Sequence, residues 1–255
     1  MIKKLYSYRY MLSELIKRDF ILKYKRTFLG VIWSLLSPMV ILSVQILVFT
    51  KFFGSDIPHY HIFLFCGSLV YNYFTEATQG GLASLAENIG IFSKIPMPKY
   101  LFVFSRNTSA LINFCMNFAV FLVWVALDGL LFTPKFFLLL YAVLCMVIFN
   151  FGVSLILGTL FIFFRDLSYL YNIFVLILMY LSATFYSVDS FESWLQRLYL
   201  FNPVYIYIKY FRLIVIDSSV PSHQFHLLML MYSLVALVLG TMIYKQYNNK
   251  FIYYY

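Results

Sequence analysis

The sequence predicts an all-α integral membrane fold with six transmembrane helices, and three observations support this prediction. The chain is 63% hydrophobic and only 11% charged, whereas soluble domains average about 45–50% and about 25%. Its charges bracket long uncharged stretches, and an apolar stretch of about eighteen residues is long enough to cross a bilayer. Six stretches of that length lack Asp, Glu, Lys and Arg: 29–50, 57–75, 107–127, 136–164, 167–188 and 218–244.

The positive charges are distributed unevenly over the segments that join these stretches. An even number of spans places both termini on one side, together with the loop 84–100 and the turn at Arg165. That side holds most of the 19 Lys and Arg residues, so the positive-inside rule makes it cytoplasmic. The net charge of +9 therefore orients the chain in a membrane and requires no nucleic-acid partner.

Residues 5–26 precede the first span and predict an amphipathic helix. Apolar residues recur there at spacings of three and four, which places them on one helical face: Leu5, Tyr8, Leu12, Leu15, Ile16, Phe20 and Tyr24. The basic residues mostly point elsewhere: Lys17, Arg18, Lys23, Lys25 and Arg26. A basic amphipathic helix of this kind lies in the membrane surface, with its cations on anionic head groups.

The six spans are expected at 29–53, 60–82, 102–127, 136–164, 167–187 and 225–245. The second contains Glu76, which is costly in lipid and should face protein, water or the interface. In the third, Asn113 and Asn117 share a helical face and should bond a neighbouring helix. The fourth and fifth spans meet across Arg165–Asp166, a turn so tight that the two helices should pack as a hairpin. A local ion pair is favoured there over a catalytic pair.

Two connecting segments have structure of their own. The loop 84–100 is polar, carries a pair of prolines that stop helix propagation, and is long enough for one short helix. The segment 189–217 predicts two short helices. Asp189 to Glu192 has the form of a capping box for the first, and Asn202–Pro203 can cap and open the second. Residues 204–216 would reach about 20 Å as a helix, too short to cross. We expect both helices to be re-entrant, dipping into the outer half of the membrane.

No motif for nucleotide or metal chemistry is found in the sequence. A phosphate-binding loop of the Walker type needs glycine followed by lysine, and none of the ten glycines meets this condition. His59 and His61 are two positions apart, and His223 and His226 three. Two histidines without an acid or thiolate beside them are more often interfacial side chains than metal ligands, so the interfacial interpretation is favoured. We therefore expect no catalytic residue, no bound metal and no resident cofactor.

Aromatic residues make up 22% of the chain. Their rings could line a conduit for sugars by offering flat faces to pyranose C–H groups. Lipid-facing bulk and interfacial belts explain the same composition, and membrane proteins use both. Composition by itself favours the second explanation and names no substrate.

Four stretches, in order along the chain, resemble one known family. They are KYKRTFLGVIW at 23–33 followed by Pro38 and Phe49, FSKIP at 92–96, GTLFIFFRD at 158–166, and Asn202–Pro203 with Arg212. The chain resembles the permease subunits of ATP-binding-cassette exporters for O-antigen, capsule and teichoic-acid polysaccharides, over nearly its whole length. It departs from many relatives at 71–74, where they carry a Pro-Trp pair.

The resemblance implies a single transmembrane domain in a bacterial inner membrane, with specific partners. Such permeases are homodimers that work with two copies of a separate ATPase subunit, which binds the ATP and magnesium. The surface helix and the loop around Lys94, Ile95 and Pro96 would dock on that ATPase. The short outer helices, with Asn202–Pro203 and Arg212, would form an external gate. The cargo would be a polysaccharide, with or without a lipid carrier.

The resemblance also implies site residues, because the family lines a conduit between protomers with aromatic rings. The candidates for this lining are Trp33, Phe49, Phe53, Tyr180, Phe185 and Tyr186. The candidates for the entrance motif are Tyr24, Arg26, Gly30, Trp33 and Pro38, and Arg165 with Asp166 marks the hairpin.

Other functions fit parts of the sequence. O-antigen is the favoured cargo, and capsule, teichoic acid, a drug or a small lipid would keep the same architecture. A membrane-embedded glycosyl or acyl transferase would need acids or a histidine clustered at one membrane face. The candidate acids are single and dispersed: Asp56, Glu76, Asp128, Asp189, Glu192 and Asp217. We therefore rank the transferase well below the exporter.

Overall fold

The computed structural model describes residues 8–24, 32–53, 57–94 and 97–251, without the side chains of 22–24, 34–35 and 51–53. Within these residues the chain is helical and contains no strand, which confirms the all-α class. The helices are α1 (Arg9–Tyr24), α2 (Ile32–Phe53), α3 (Tyr60–Glu87), α4 (Ile89–Phe92), α5 (Tyr100–Leu127), α6 (Phe137–Phe163), α7 (Leu167–Leu181), α8 (Ser193–Tyr199), α9 (Pro203–Val215) and α10 (His223–Tyr247).

Three helical stretches within the described ranges are long and apolar enough to cross a membrane. They are Tyr100–Leu127, Pro134–Phe163 and His223–Lys250. Two further apolar helices, Leu36–Thr50 and Leu167–Leu181, are shorter. The 28 residues of α3 would reach across, but Asn72, Glu76 and Gln79 interrupt its apolar sequence. The count of six spans stays a prediction.

The central helix of the bundle is α3, which packs against α2, α5, α6, α7 and α9. Most of its side chains are buried, so its polar residues are held against protein. The closest pair of helices is α6 with α10, and they touch through glycine at Gly152 and Gly240.

The bundle has two ends. At the first, which we call the α1 end, α1 packs on α5, and the rings of Tyr100 and Tyr244 meet edge to face. At the other, the α9 end, the Tyr60 hydroxyl donates a hydrogen bond to the Phe185 carbonyl. Helix α9 lies inside this end. All of its 13 residues except Pro203, Lys209 and Leu213 are buried.

The structure corrects two details of the predicted helix ends. Helix α8 begins at Ser193, and Glu192 makes no side-chain cap there, so the capping box is wrong. Asp189 instead accepts hydrogen bonds from Lys209 and Ser187. The fifth predicted span, 167–187, ends as a helix at Leu181. The chain turns immediately afterwards, with Ala183 in the left-handed region at φ 52°.

Helix α1 is also more deeply packed than a surface helix that contacts only lipid. Leu15 is buried and Met11, Leu12 and Tyr8 pack against the same hydrophobic cluster as residues of α5. The described helix covers Arg9–Tyr24 of the predicted 5–26, and the remaining positions lie outside the described residues.

Candidate functional site

Aromatic side chains from α2 and α7 meet at the α9 end. The ring of Phe49 stacks on Phe185, with centroids 4.7 Å apart and planes inclined by 13°. Tyr180 lies 5.9 Å from the same Phe185 ring, and its carbonyl accepts a 2.8 Å hydrogen bond from the Tyr186 hydroxyl. The structure thus places four of the six predicted conduit residues side by side, because the turn after α7 brings Phe185 back to α2.

Further rings continue this contact chain. Tyr186 stacks on Phe191 at 5.8 Å and shares a 2.8 Å hydrogen bond with the Tyr199 hydroxyl. Tyr199 meets Tyr205 edge to face at 5.1 Å. We call the whole series the aromatic ladder: Phe49, Tyr180, Phe185, Tyr186, Phe191, Tyr199 and Tyr205. Its last three members were not predicted, and nothing in their local sequence distinguishes them from other aromatic residues.

Of the other two predicted conduit residues, Trp33 is separate from the ladder. Trp33 lies on α2, 16 positions before Phe49, which is about 24 Å along a helix. Its side chain is 49% exposed, and that of Tyr180 is 55% exposed. Both therefore present rings on the surface of the protomer. The side chain of Phe53 lies outside the described residues.

Arg212 is a structural anchor at the α9 end, with only 5% of its surface exposed. Its Nη1 donates to the Ala183 carbonyl at 2.9 Å, and Nη2 donates to the Thr184 carbonyl at 2.8 Å. Nε and Nη2 share the Phe63 carbonyl at 3.3 Å, and the guanidinium carbon lies 3.3 Å from the centre of the Phe63 ring. A Cβ on Gly67 would lie 2.9 Å from Arg212 Nη2, so glycine is required beside this group.

Asn202 holds the same turn from the other end of α9. Its Oδ1 accepts from the backbone nitrogens of Val204 and Tyr205 at 3.0 and 3.3 Å, as the Asn–Pro pair predicted. Its Nδ2 donates to the Leu181 carbonyl and to Ser182 Oγ. Residues 181–184 are therefore clamped between Asn202 and Arg212, both of which the predicted gate contained. This clamp positions Phe185 and the ladder.

A cavity of about 770 Å³ opens beside the clamp. Phe63, Tyr186, Phe191 and Tyr205 supply rings to its wall. Its charged lining residues are Asp189, Lys209, Arg212 and Asp217. We call it the α9-end cavity.

The two acids of this cavity differ in their surroundings. Burial acts to raise the pKa of Asp189, but hydrogen bonds from Lys209 and Ser187 outweigh it, so this pKa lies below its usual value. Lys209 Nζ reaches both carboxylate oxygens of Asp189, at 2.6 and 2.7 Å. Burial raises the pKa of Asp217 above its usual value, and the Lys209 charge offsets only part of this. Asp189 is thus paired, whereas Asp217 faces the cavity.

A polar groove runs along α3 and α5 in the middle of the bundle. Asn113 Nδ2 donates to Glu76 Oε1, so Asn113 bonds a neighbouring helix as predicted and Glu76 faces protein. Asn117 was expected to do the same, but it donates to the Asn113 carbonyl within its own helix. Gln79 Nε2 donates to Asn172 of α7 at 3.1 Å. The groove joins a cavity of about 410 Å³ that extends to Asp19 at the α1 end.

The α1 end contains a buried carboxylate that sequence reasoning missed. Asp19, 4% exposed, accepts from Ser105 Oγ at 2.8 Å and from Arg18 at 2.8 Å. Arg106 lies 3.7 Å from the same carboxylate and donates to Glu87, the last residue of α3, at 2.6 Å. This network joins α1, α5 and α3. The only sequence signal for it was that Asp19 is one of two acids, with Glu14, on the basic helix.

The remaining predicted residues are placed as follows. Lys94 is exposed after α4, and Arg165 and Asp166 are exposed in the turn between α6 and α7, which contact one another. Pro38 is half-buried inside α2. Tyr24 ends α1 without a described side chain, and Arg26, Gly30, Ile95 and Pro96 lie outside the described residues.

The histidines at 59 and 61 do have an acid near them. Both contact the carboxylate of Asp128 at the end of α5. Burial acts to raise the Asp128 pKa, but hydrogen bonds from His61 and His59 outweigh it and hold this pKa below its usual value. The contact ties the start of α3 to the end of α5. Among the described residues, no group of three or more His, Cys, Asp or Glu side chains is arranged so that it could hold a metal ion.

Loss of the Asp19 carboxylate should loosen α1. In Asp19→Ala, Ser105 and two arginines lose a buried acceptor, which costs about 1–2 kcal/mol and raises the open population of α1 about five- to thirtyfold. Tryptic cleavage after Lys17 and Arg18 in the detergent-solubilised protein measures this opening. Glu14→Ala removes an exposed acid from the same helix, paired with Lys17 at 2.8 Å, and should leave the rate nearly unchanged. Equal rates in the two variants would show that Asp19 does not hold α1.

Comparison with known proteins agrees with the sequence motifs. Residues 10–216 match the family described as ABC-2 type transporter. The chain is 23% identical over 253 residues to the O-antigen export system permease protein RfbA of Myxococcus xanthus, covering 98% of this chain and 97% of that protein. A protein of the same name from Klebsiella pneumoniae is 23% identical over 256 residues, covering 98% of both chains. The match runs from the second residue of α1 through the end of α9. Three helical stretches of the described residues are also apolar and long enough to cross a membrane. The chain is therefore an integral membrane protein of the ABC-2 type transporter family.

Proposed function

We propose that this chain is the membrane-spanning permease subunit of an ABC exporter that moves a polysaccharide, O-antigen most directly, across the bacterial cytoplasmic membrane. The observation that carries the proposal is the end-to-end alignment with two O-antigen export permeases, which leaves no large part of the chain for another activity. The aromatic ladder supports it, because rings contact sugars without binding any one unit tightly.

The proposed topology has six spans, α2, α3, α5, α6, α7 and α10, with both termini in the cytoplasm. The α1 end is then cytoplasmic and the α9 end faces outward, with α8 and α9 re-entrant. Helix α7 would reach about 22 Å, so the clamped turn 181–184 completes its crossing. An impermeant thiol reagent added to intact cells should label a cysteine at Glu192 but not one at Asn248. The reverse pattern, or labelling of both, would contradict this topology.

The energy source is proposed to be a separate ATPase subunit, present in two copies beside a homodimer of this chain. The sequence has no nucleotide-binding motif of its own. Helix α1 and the loop 84–100, with Lys94, form the proposed docking surface for the ATPase, which would bind the ATP and magnesium. Transport then requires no bond to be made or broken by a residue of this chain.

The proposed coupling route starts at that docking surface. Movement of α1 is transmitted through Asp19 to Ser105 of α5, and through Arg106 to Glu87 of α3. Because α3 packs against α9, its displacement reaches the clamp and the ladder. A hydrated polymer cannot enter hydrocarbon, so it needs a continuous lined path that this motion opens and closes.

The conduit lining can be tested at its two exposed rings. Each ring contact is worth about 0.5–1.5 kcal/mol, so the double variant Trp33→Ala, Tyr180→Ala should lower polymer export about tenfold while ATP hydrolysis continues. Phe132→Ala, Tyr169→Ala removes two rings outside the proposed conduit and gate, which are 54% and 73% exposed, and serves as the control. Unchanged export in the first variant, measured as surface polymer, would mean that these rings do not line the path.

The function itself is tested by deleting the gene. We expect polymer to disappear from the cell surface and to accumulate inside the cell. Expression of the protein from a plasmid should restore the surface polymer. Blots of fractionated cells measure both pools. Identical fractions in both strains would overturn the proposal. Greater sensitivity to a drug, with normal surface polymer, would instead identify an exporter of small molecules, and accumulation of a precursor lipid without sugar would indicate a transferase.

A further inference from the structure

The α9-end cavity has the size and shape of a ligand site. Its volume of about 770 Å³ falls within the range of about 300–1,000 Å³ that is usual for small-molecule pockets. Its lining combines the aromatic residues Phe63, Tyr186, Phe191 and Tyr205 with a few charged groups. Pockets that bind a specific small molecule are mostly apolar and carry a few well-placed polar groups of this kind.

The cations of the cavity are already occupied by protein groups. The Arg212 guanidinium donates hydrogen bonds to the carbonyls of Phe63, Ala183 and Thr184. Lys209 lies against both oxygens of Asp189. Neither is therefore available as the main partner of an anion, and the four charged groups sum to zero.

The cavity contains a charged acceptor whose hydrogen-bonding capacity is open. The Asp217 carboxylate lines the cavity and accepts no hydrogen bond from another residue of the described ranges. Ser190, which lines the cavity as well, is exposed. A ligand that fits must donate hydrogen bonds and offer an apolar face to the rings. A phosphate has no apolar face and its negative charge is repelled by Asp217, whereas a sugar ring offers donors and an apolar face through its hydroxyl and C–H groups.

We propose that the α9-end cavity binds one or two neutral sugar units, with Asp217 accepting from sugar hydroxyls and Phe191 and Tyr205 facing the ring. This inference rests on the proposed function, because the bound units would belong to the polymer that has passed the ladder. Tyr186 belongs to both the ladder and the cavity wall, so the cavity continues the same aromatic surface. A site here would hold the leading end of the polymer between cycles of ATP hydrolysis and would oppose its movement back toward the cytoplasm.

The test uses the full chain in detergent, without an ATPase and without transport. A cysteine replaces Ser190 in a Cys115→Ser background, since Cys115 is the exposed native thiol, and its rate of labelling by a maleimide is measured. The probes are the methyl glycosides of glucose, galactose, mannose and rhamnose. At about five times its dissociation constant a bound sugar leaves about one site in six free, so labelling should slow about sixfold.

Three comparisons decide the outcome. Protection is the ratio of the labelling rates with and without sugar in the same variant. Asp217→Asn should remove this protection, and Glu192→Gln, at a nearby exposed acid outside the cavity, should keep it. Sodium phosphate and choline chloride at the same concentration should not protect. Absence of protection by every glycoside, protection by phosphate or choline instead, or full protection in Asp217→Asn would each overturn the proposal. Because the gene deletion tests export separately, loss of the cavity site alone leaves the proposed function standing.

Discussion

Gly152→Val should prevent this protein from accumulating in a folded form. A Cβ at Gly152 would lie 2.5 Å from the Ala236 carbonyl oxygen and 2.5 Å from the Leu237 nitrogen. Both are backbone atoms of α10, so no side-chain rotation relieves the clash, and α6 and α10 must separate. Small residues let membrane helices approach this closely, and overpacking at such a contact costs about 3 kcal/mol or more. The amount of monodisperse protein after detergent extraction measures the effect.

Gly90→Val is the matched control for this substitution. A Cβ at Gly90 meets nothing within 4 Å, so the variant should be extracted in normal amounts and melt at nearly the same temperature. If Gly152→Val gave the same yield and melting temperature as Gly90→Val, the close contact between α6 and α10 would be wrong.

Arg212→Met should destabilise the α9 end by about 3–5 kcal/mol. Three carbonyls that now accept from the guanidinium, those of Phe63, Ala183 and Thr184, would lose this donor inside the protein. An unsatisfied buried group costs about 1–3 kcal/mol. Arg212→Lys should not rescue the fold, because an ammonium is a compact charge that lacks the planar fork reaching several acceptors. Thermal unfolding in detergent measures the loss.

Arg197→Met provides the comparison, since Arg197 is exposed on α8 at the same end of the bundle. It carries the same charge change and should shift the melting temperature little. A small shift for Arg212→Met as well would mean that the clamp on residues 181–184 does not stabilise the protein, and the placement of the ladder would lose its physical basis.

Some features of the fold could be predicted because they depend on short stretches of sequence. The Asn202–Pro203 pair specifies a helix start, and the structure has the cap there. The bounds of most long helices follow from charges that bracket apolar stretches. The early end of α7 at Leu181 could not be predicted, because the turn uses Ala183 at φ 52° and no glycine or proline marks it. That turn exists because Asn202 and Arg212 bind it from a distant helix.

In the candidate site, too, some contacts could be predicted from the sequence and others could not. The resemblance to known permeases supplied Phe49, Tyr180, Phe185 and Tyr186, and the structure brings them into contact. The partners of Arg212 and Asp19 could not be read from the sequence, because they are carbonyls and hydroxyls contributed by other helices. The Asp128 contact with His59 and His61 was missed for the same reason. Pairings across about 30 or more positions depend on how the helices pack, and a single sequence does not record that.

We propose that this chain provides the path and that a separate subunit provides the energy. This is tested by reconstituting the purified chain into vesicles, alone and with a candidate partner ATPase from the same organism, and following the uptake of radiolabelled polymer. Polymer should enter the lumen only when both proteins and Mg·ATP are present on the outer face of the vesicle. Uptake by the chain alone, or uptake with both proteins that does not require ATP hydrolysis, would contradict the account.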